Sequence, residues 1–359
     1  MTGLELEGIR HSFDGTEVVR GVSLTVHAGE VVSLLGPSGC GKTTCLRIAA
    51  GLEPVQAGSV RIDGQELGAP GVHVPPEERS VGLVLQDYAL FPHLRVVDNV
   101  AFGVRRKGRS AADARTVAMA MLERIGLGDH GQSFPHVLSG GEQQRVALLG
   151  AMAPGPRVML MDEPFSGLDV TLRDMVRDST LALLKEAGVP TLFVTHDPEE
   201  AMRLADRVAI MKAGRILQTG APQEVYYSPA SAQVVSFFGA VNRFETRIAE
   251  GRAPLALCDV PVTGIADGTP VEVLLRPQAI RLDRGMHGIP VAGGAVVERT
   301  QFMGPAFLVD LRFGDDPGAG GQILRARVAA RDVPATGARV DFFINPADVF
   351  VFPLAYSDG

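Results

Sequence analysis

The sequence predicts a two-domain protein, an α/β domain built on a largely parallel sheet followed by a small all-β domain. Its 359 residues exceed the length at which single cores usually stop growing. As far as about Gly239, continuous apolar runs such as VVSLL, VGLVL and TLFVT alternate with helical patterns, which is typical of parallel strands buried on both faces. From about Asn242, short apolar strands broken by Gly, Pro and Asp indicate an antiparallel barrel or sandwich. We place the domains at 1–240 and 241–359.

Two helical patterns lie together between the apolar strands VGLVL and VMLMD. The segments from Arg109 to Ile125 and from Glu142 to Ala153 have helical period and propensity. We therefore expect a helical subdomain inserted at about residues 87–155. In the second domain, the runs VEVLL, FLVDLRF, ILRARVAA and ARVDFFI are the expected strands.

The composition excludes several classes of protein. With 46% hydrophobic and 21% charged residues the chain can form a packed core, and its net charge of -7 argues against nucleic acid as a partner. The N-terminus lacks the basic start and apolar run of a signal peptide, and the apolar stretch VALLGAMAPGP is too short to span a bilayer. Cys40, Cys45 and Cys258 form no metal-binding pattern. We expect a soluble chain in a reducing cytosol.

Residues 36–43 read GPSGCGKT and match the phosphate-binding loop pattern GxxxxGK[ST]. The loop follows an apolar strand and precedes a helical segment, so backbone N–H groups can converge on phosphates while Lys42 supplies a cation and the Thr43 hydroxyl a ligand for Mg²⁺. The alternative is a glycine-rich turn without a ligand. Cys40 lies where helix N-terminal amides would favour a thiolate, but we interpret it as an inert packed side chain.

Polar residues end three other apolar strands. Asp162 and Glu163 follow VMLM, His196 follows TLFVT, and Gln86 follows VGLVL. In a parallel sheet these ends share one edge, where one carboxylate can hold Mg²⁺ and its neighbour can activate water. Taken singly, each residue has an ordinary alternative as a cap, a surface residue or a hydrogen-bonding filler.

The segment LSGGEQQR, residues 138–145, presents a different problem. Ser139 and Glu142 have the spacing of a capping box that begins a helix. The cap does not explain Gly140 and Gly141, since each glycine costs backbone entropy. Something is therefore expected to approach this backbone closely.

Together these motifs resemble the nucleotide-binding subunits of ATP-binding cassette (ABC) transporters. GPSGCGKTT, Gln86, LSGGEQQR, VMLMDEP, SGLD and His196 occur in the order and context of that family, over Met1 to about Gly239. The resemblance implies a P-loop NTPase (RecA-like) fold. The last third, with LLRPQAIRL and FMGPAFLVD, is similar to the TOBE/OB-like regulatory barrel of importer ATPases for maltose, polyamines, sulfate and ferric iron. PPEERSVGLVLQDYALFPHLRVVDNVAFGV is most similar to the ferric-iron and polyamine importers.

The resemblance implies specific roles. Phe13 would stack on the adenine of ATP, unless it is an ordinary core aromatic; Thr43, Gln86 and Asp162 would bind Mg²⁺. Glu163 would act as the base toward water, and His196 would contact the γ-phosphate and hold the attack geometry. The phosphates would be wrapped by Gly36, Pro37, Ser38, Gly39, Cys40, Gly41, Lys42, Thr43 and Thr44. The γ-phosphate held by a second copy would face Ser139, Gly140, Gly141 and Glu142, with Asp169 on the same dimer interface.

The resemblance also implies partners and a location. The chain would form a homodimer, bind two permease subunits through about Asp87 to Val97, and work with a periplasmic or lipoprotein solute-binding protein on the cytoplasmic face of the bacterial inner membrane. Ferric iron or a polyamine is the favoured solute, with sulfate, sugar and phosphonate as alternatives. A soluble ABC ATPase of DNA repair or translation is the competing class. The C-terminal domain would hold a regulator or simply stabilise the dimer.

One departure from the family pattern stands in the helix after LSGGEQQR. Many relatives have Ala-Arg where this chain has Leu149-Gly150. Glycine in a helix interior is less favourable than alanine by about 1 kcal/mol, so we expect a weakened helix here.

Overall fold

The computed structural model describes residues 2–106, 108–168, 170–282, 289–291, 294–313 and 322–354. Its contacts divide the chain into two compact units, Met1–Val225 and Tyr226–Gly359. Residues 226–240, which the sequence analysis assigned to the first domain, thus cluster with the second. The reason is a short helix there, whose Ala232 and Val235 pack against Leu274 and Phe350 of the second unit.

The first unit mixes strands and helices along the chain. Its elements are β1 (Thr2–Phe13), β2 (Thr16–His27), β3 (Val31–Leu35), α1 (Lys42–Ala50), β4 (Ala57–Ile62), β5 (Gln65–Ala69), β6 (Val72–His73), β7 (Val81–Val84), α2 (Val96–Arg106), α3 (Ala111–Arg124), α4 (Gly140–Met152), β8 (Val158–Asp162), α5 (Val170–Ala187), β9 (Thr191–Thr195), α6 (Pro198–Leu204), β10 (Arg207–Lys212), β11 (Arg215–Gly220) and α7 (Pro222–Tyr227).

The central sheet has the strand order β11-β10-β3-β9-β8-β7. The pairs from β10 to β7 are parallel, and β11 is antiparallel to β10. Every residue of β3, β8 and β9 is buried, which explains their uninterrupted apolar sequences. The predicted parallel α/β sheet is confirmed, and the carboxyl ends of β3, β9, β8 and β7 lie on the same edge.

A second sheet, with the order β2-β1-β4-β5-β6, is antiparallel and was not predicted. Its inner residues, among them Leu4 and Val22, share one hydrophobic cluster with Leu46 of α1 and with Val32 and Leu160 of the central sheet. Helix α1 therefore packs in the core between the two sheets, which fixes the loop that precedes it.

The helical insertion is confirmed as α2, α3 and α4, which lie between β7 and β8 along the chain. These helices enclose a separate cluster that includes Val100, Leu122 and Val146. Ser110 caps α3 and Ser139 caps α4, each accepting a hydrogen bond from the backbone N–H three residues later. Within the described ranges no helix combines the length and the apolar character that crossing a membrane requires.

The second unit is β-rich, as predicted, and a short α-helix packs on its strands. Its core brings together residues from several small sheets, among them Val273, Val297, Leu311 and Ile344. Its described elements are α8 (Ala232–Phe237), β12 (Asn242–Arg247), β13 (Arg252–Pro254), β14 (Asp259–Pro261), β15 (Pro270–Leu275), β16 (Ile280–Arg281), β17 (Ile289–Pro290), β18 (Ala295–Phe302), β19 (Ala306–Phe313), β20 (Gln322–Ala329), β21 (Arg339–Val340), β22 (Phe343–Ile344) and β23 (Val349–Pro353).

Candidate functional site

The loop of residues 36–43 joins β3 to the start of α1. Gly41 has φ 104° and stands immediately before the helix. A Cβ on Gly41 would lie 2.7 Å from the Val18 carbonyl oxygen, so both the backbone angle and the close packing require glycine. The loop is thereby held against the sheet with the first N–H groups of α1 unpaired by helix bonds, which is the arrangement that binds phosphate.

Lys42 is the first residue of α1, and its side chain extends back to the start of the loop. Its Nζ donates to the carbonyl oxygens of Gly36 at 2.7 Å and Pro37 at 3.1 Å, and the residue is 5% exposed. The ammonium group is thus already positioned beside the loop's backbone, where a phosphate would meet its charge.

Cys40 is buried in the same loop. Burial raises the pKa of the Cys40 thiol, although the nearby Lys42 charge opposes the shift. A Cβ on Gly36 would lie 2.6 Å from its sulfur, so the thiol packs tightly against the loop backbone. The effect of burial on the pKa of Cys40 therefore outweighs the opposing effects of the Lys42 charge and the backbone N–H groups.

Thr43 and Asp162 meet across the carboxyl edge of the sheet. The Thr43 hydroxyl donates to Asp162 Oδ1 at 3.1 Å. Burial raises the pKa of Asp162, the Thr43 hydrogen bond opposes this, and the charge of Glu163 adds to it. A hydroxyl beside a buried carboxylate is the oxygen-rich donor set that Mg²⁺ prefers, so these residues fit that ion.

Glu163 and His196 form a second pair on this edge. Their strands β8 and β9 are neighbours, and the Glu163 N–H donates to the Val194 carbonyl at 3.0 Å. His196 Nδ1 lies 3.0 Å from Glu163 Oε1. Glu163 has φ 44°, a left-handed conformation that is costly for a side chain of this size and is characteristic of functional sites.

Gln86 and Phe13 lie at other positions in the first unit. Gln86 is exposed and follows β7, the strand next to β8. Phe13 ends β1 with 42% of its surface exposed, and its ring stands edge-on to His11 at 4.6 Å. Phe13 is therefore not a core aromatic.

The segment LSGGEQQR begins α4 with the capping box expected from its sequence. Glu142 N–H donates to Ser139 Oγ at 3.4 Å, and Ser139 N–H donates to Glu142 Oε2 at 2.8 Å. The bond from the Ser139 backbone is the main reason that the pKa of Glu142 is lowered. In the part of the chain that the structure describes, no hydrogen bond joins these residues to the loop at 36–43.

Gly140 is exposed at the start of that helix. A Cβ there would come no nearer than 3.7 Å to its neighbours, the closest being Leu168. The packing of its own chain thus leaves room for a side chain at Gly140. Asp169, predicted to lie on the dimer interface, lies outside the described residues.

Sequence reasoning missed Gln56 and Arg177, which bind residues adjacent to Phe13 and His196. The Gln56 side chain exchanges two hydrogen bonds with the Ser12 backbone, at 2.8 and 2.9 Å, beside Phe13. Arg177 is buried on α5 beneath His196 and its neighbours. Gln56 had no sequence signal, whereas Arg177 falls on the buried stripe of α5 with Thr180 and Leu184.

One edge of the central sheet carries a phosphate-binding loop, a hydroxyl–carboxylate pair and a glutamate–histidine pair. The inserted subdomain carries a glycine-rich capped helix. This combination is that of an ATPase of the ABC class. Residues 19–166 match the family model described as ABC transporter, and residues 273–352 match the one described as TOBE domain.

Curated relatives support the same assignment. The chain is 43% identical over 287 residues to the spermidine/putrescine import ATP-binding protein PotA of Salmonella typhimurium, covering 77% of this chain and 75% of that protein. It is 42% identical over 293 residues to the proteins of that name from Shigella boydii and Escherichia coli (strain K12), covering 78% of this chain and 75% of each. The chain belongs to the importer-type ABC transporter ATP-binding subunits, ATPases that couple hydrolysis to transport.

Proposed function

We propose that two copies of this chain bind two ATP molecules with Mg²⁺ between the loop at 36–43 of one copy and LSGGEQQR of the other, and drive uptake of a polyamine. The observation that carries this proposal is the sheet edge at which Thr43 meets Asp162 while Glu163 meets His196. Within one unit this edge combines groups for phosphate, metal and water.

In this mechanism the loop binds the phosphates through its backbone N–H groups and Lys42. Thr43, Asp162 and Gln86 would hold Mg²⁺, which supplies charge neutralisation on the phosphate oxygens. The burial of Asp162 strengthens its interaction with a cation, because the surrounding dielectric is low. Phe13, exposed at the end of β1, is available to stack on adenine.

Glu163 is the proposed base, and His196 the residue that contacts the γ-phosphate. Glu163 accepts a proton from the attacking water, and His196 holds the carboxylate through their 3.0 Å contact. Because both side chains are fixed by neighbouring parallel strands, their separation is set by the sheet. The left-handed backbone at Glu163 is strain that the fold maintains at this position.

The dimer is proposed from Gly140 and Gly141. The φ angle of Gly140 is not in the left-handed region, and neighbouring atoms of the same chain leave room for a Cβ. Neither backbone conformation nor packing within the chain therefore requires glycine here. Close approach of a phosphate from a second copy accounts for it, because the free N–H groups at the start of α4 favour an anion. Asp169 is proposed to lie on the same interface.

The permease is proposed to contact residues 87–97. Phe91 in that segment is 38% exposed and packs at 4.7 Å on Phe102 of α2, which is 41% exposed. An exposed aromatic pair of this kind favours a protein contact. We further propose that the subunit works at the cytoplasmic face of the inner membrane together with a solute-binding protein. A regulatory role for the β-rich unit belongs to the same proposal. Residue 240 is kept as the proposed end of the ABC domain in the sequence, although residues 226–240 pack with the β-rich unit.

A polyamine is the proposed solute because the relatives reported above are named for spermidine and putrescine. Ferric iron, the other solute favoured by the sequence resemblance, has no support from these relatives.

The substitution Glu163→Gln tests the proposed chemistry. It preserves the shape of the side chain but removes the base, so we expect ATP binding to persist, turnover to fall about a hundredfold or more, and ATP-bound dimer to accumulate. Binding is measured by calorimetry, turnover by phosphate release, and dimer by light scattering. Near-normal turnover in this variant would remove Glu163 from the role of base.

A further inference from the structure

Arg177 of α5 is buried beneath the turn of residues 195–197, which carries His196 and is called the switch turn below. Its side chain is 4% exposed. Nη2 donates to Glu200 Oε1 at 2.7 Å and to Asp197 Oδ2 at 3.2 Å. The guanidinium therefore contacts the residue that follows His196 and also the helix α6 that leads away from it.

Glu200 extends this contact to the residue that precedes His196. Its second oxygen, Oε2, accepts a hydrogen bond from the Thr195 hydroxyl at 2.6 Å, and that hydroxyl accepts one from the Asp197 N–H at 3.0 Å. Both neighbours of His196 are thus bonded into one buried network. The side chain of His196 itself is exposed. Among the described residues, its side-chain contact is with Glu163.

The same arginine also contacts the chain that follows Glu163. The guanidinium carbon lies 5.9 Å from the centre of the Phe165 ring, within the range of a cation–π interaction. Phe165 is fully buried two residues after Glu163. One side chain therefore touches the segments that hold each member of the Glu163–His196 pair.

Stability alone does not account for a charged network in this place. Removing charged groups from water costs several kcal/mol per ion, and apolar residues of similar volume are often at least as stabilising. Burial alone would lower the pKa of Arg177, but the hydrogen bond and charge of Glu200, with Asp197 and Asp174, raise it, so the guanidinium stays charged. What such a network supplies is a fixed geometry, because several bonds must form at once.

We propose that Arg177 and Glu200 are positioning residues that hold His196 against Glu163 in the geometry required for ATP hydrolysis. The inference rests on the roles proposed above for Glu163 and His196. It assigns to α5 and α6 the task of fixing the switch turn, so that loss of the network moves the imidazole while leaving the nucleotide-binding loop unchanged.

The test compares kcat and KM for ATP in Glu200→Gln, His196→Ala and the double variant, all in the full-length chain. Glu200→Gln keeps the shape but weakens the bond to Arg177, so we expect kcat to fall about ten- to a hundredfold with KM for ATP unchanged. In the double variant we expect no loss beyond that of His196→Ala, since Glu200 acts only through His196. Thr195→Val, which removes the hydroxyl between Glu200 and Asp197, provides a second route should Glu200→Gln fold poorly.

Glu186→Gln is the matched control, because it is the same chemical change on the same helix α5. Glu186 pairs with the exposed Arg124 at 2.6 Å and has no described bond to Arg177, Glu200 or the switch turn. We expect kcat and KM to be unchanged. Full activity in well-folded Glu200→Gln and Thr195→Val, or losses that multiply with that of His196→Ala, would overturn the inference. Full activity of His196→Ala would instead overturn the proposed role of His196.

Discussion

Phe13 is a residue whose role depends on where its side chain lies. As part of a strand it could have been a core aromatic, yet 42% of it is exposed. Its surroundings are nevertheless ordered, with His11 buried beside the ring and Gln56 bonded to the backbone of Ser12. An exposed ring held on a rigid strand is suited to stacking on a flat ligand.

We therefore expect Phe13→Ala to weaken ATP binding without slowing the chemical step. Aromatic stacking on a base contributes about 1–3 kcal/mol, so the dissociation constant should rise about 5- to 150-fold. Titration of ATP by calorimetry measures the change, and single-turnover hydrolysis checks the chemical step. Phe13→Tyr keeps the ring and should bind ATP as the wild type does; unchanged affinity in Phe13→Ala would exclude stacking.

Also at the scale of residues, the functional residues at strand ends could be predicted from the sequence, whereas the residues that hold them in place could not. Lys42, Thr43, Asp162 and Glu163 stand in recognisable local patterns, and the structure places Thr43 on Asp162. Arg177 and Gln56 contact segments 20 and 44 residues away, and no local pattern encodes those partners. Such contacts depend on strand order, which a single sequence does not specify.

At the scale of elements, the strands with continuous apolar sequences were predicted, whereas the strands with alternating sequences were missed. The central strands are continuous apolar runs, because helices and the second sheet cover both faces. Strand β1 alternates, with Leu4 and Leu6 buried and Glu7 exposed, and therefore lacks the continuous apolar sequence that identifies the central strands. Helix α2 was not predicted individually, because its sequence is rich in valine and contains a glycine, which have low helix propensity, and Arg95 before it is not a capping residue.

Helix α4 carries an element-scale prediction at Gly150. The glycine lies inside the helix, its φ is not left-handed, and a Cβ would come no closer than 3.5 Å to the Asn99 carbonyl oxygen of α2. Gly150→Ala should therefore raise the free energy of unfolding by about 0.5–1 kcal/mol, because alanine loses less backbone entropy. Denaturant unfolding followed by circular dichroism measures the change.

Gly103 in α2 is the matched control for Gly150. A Cβ there would lie 2.4 Å from Cγ of Pro154, in the segment that follows α4, so α2 and this segment must separate to accommodate it. Gly103→Ala should lower the free energy of unfolding by about 1–3 kcal/mol. Equal effects of the two substitutions would mean that close helix packing does not distinguish these glycines.

At the scale of the whole molecule, the proposed function requires two copies of the chain at each ATP site. The described side-chain hydrogen bonds of Ser139 and Glu142 join these two residues to each other, and those of Lys42 join it to its own loop. Each half of the proposed ATP site is therefore held in place by local contacts. A capped helix start and a phosphate-binding loop could both be predicted from the sequence. Their joint use by two copies is implied by the resemblance to the ABC family and agrees with the room at Gly140, but no local pattern encodes a symmetric partner.

Mixing two inactive variants tests this joint use. Lys42→Ala removes the cation of the loop, and Ser139→Arg places a bulky charge at the start of α4; each should be inactive alone, because every site in its homodimer is damaged. A mixed dimer has one site with both parts intact and one with both parts altered. With half of the dimers mixed and independent sites, an equal mixture should reach about a quarter of wild-type turnover and should form ATP-dependent dimer by light scattering. If both motifs acted within one chain, neither turnover nor association in the mixture would exceed that of the separate variants.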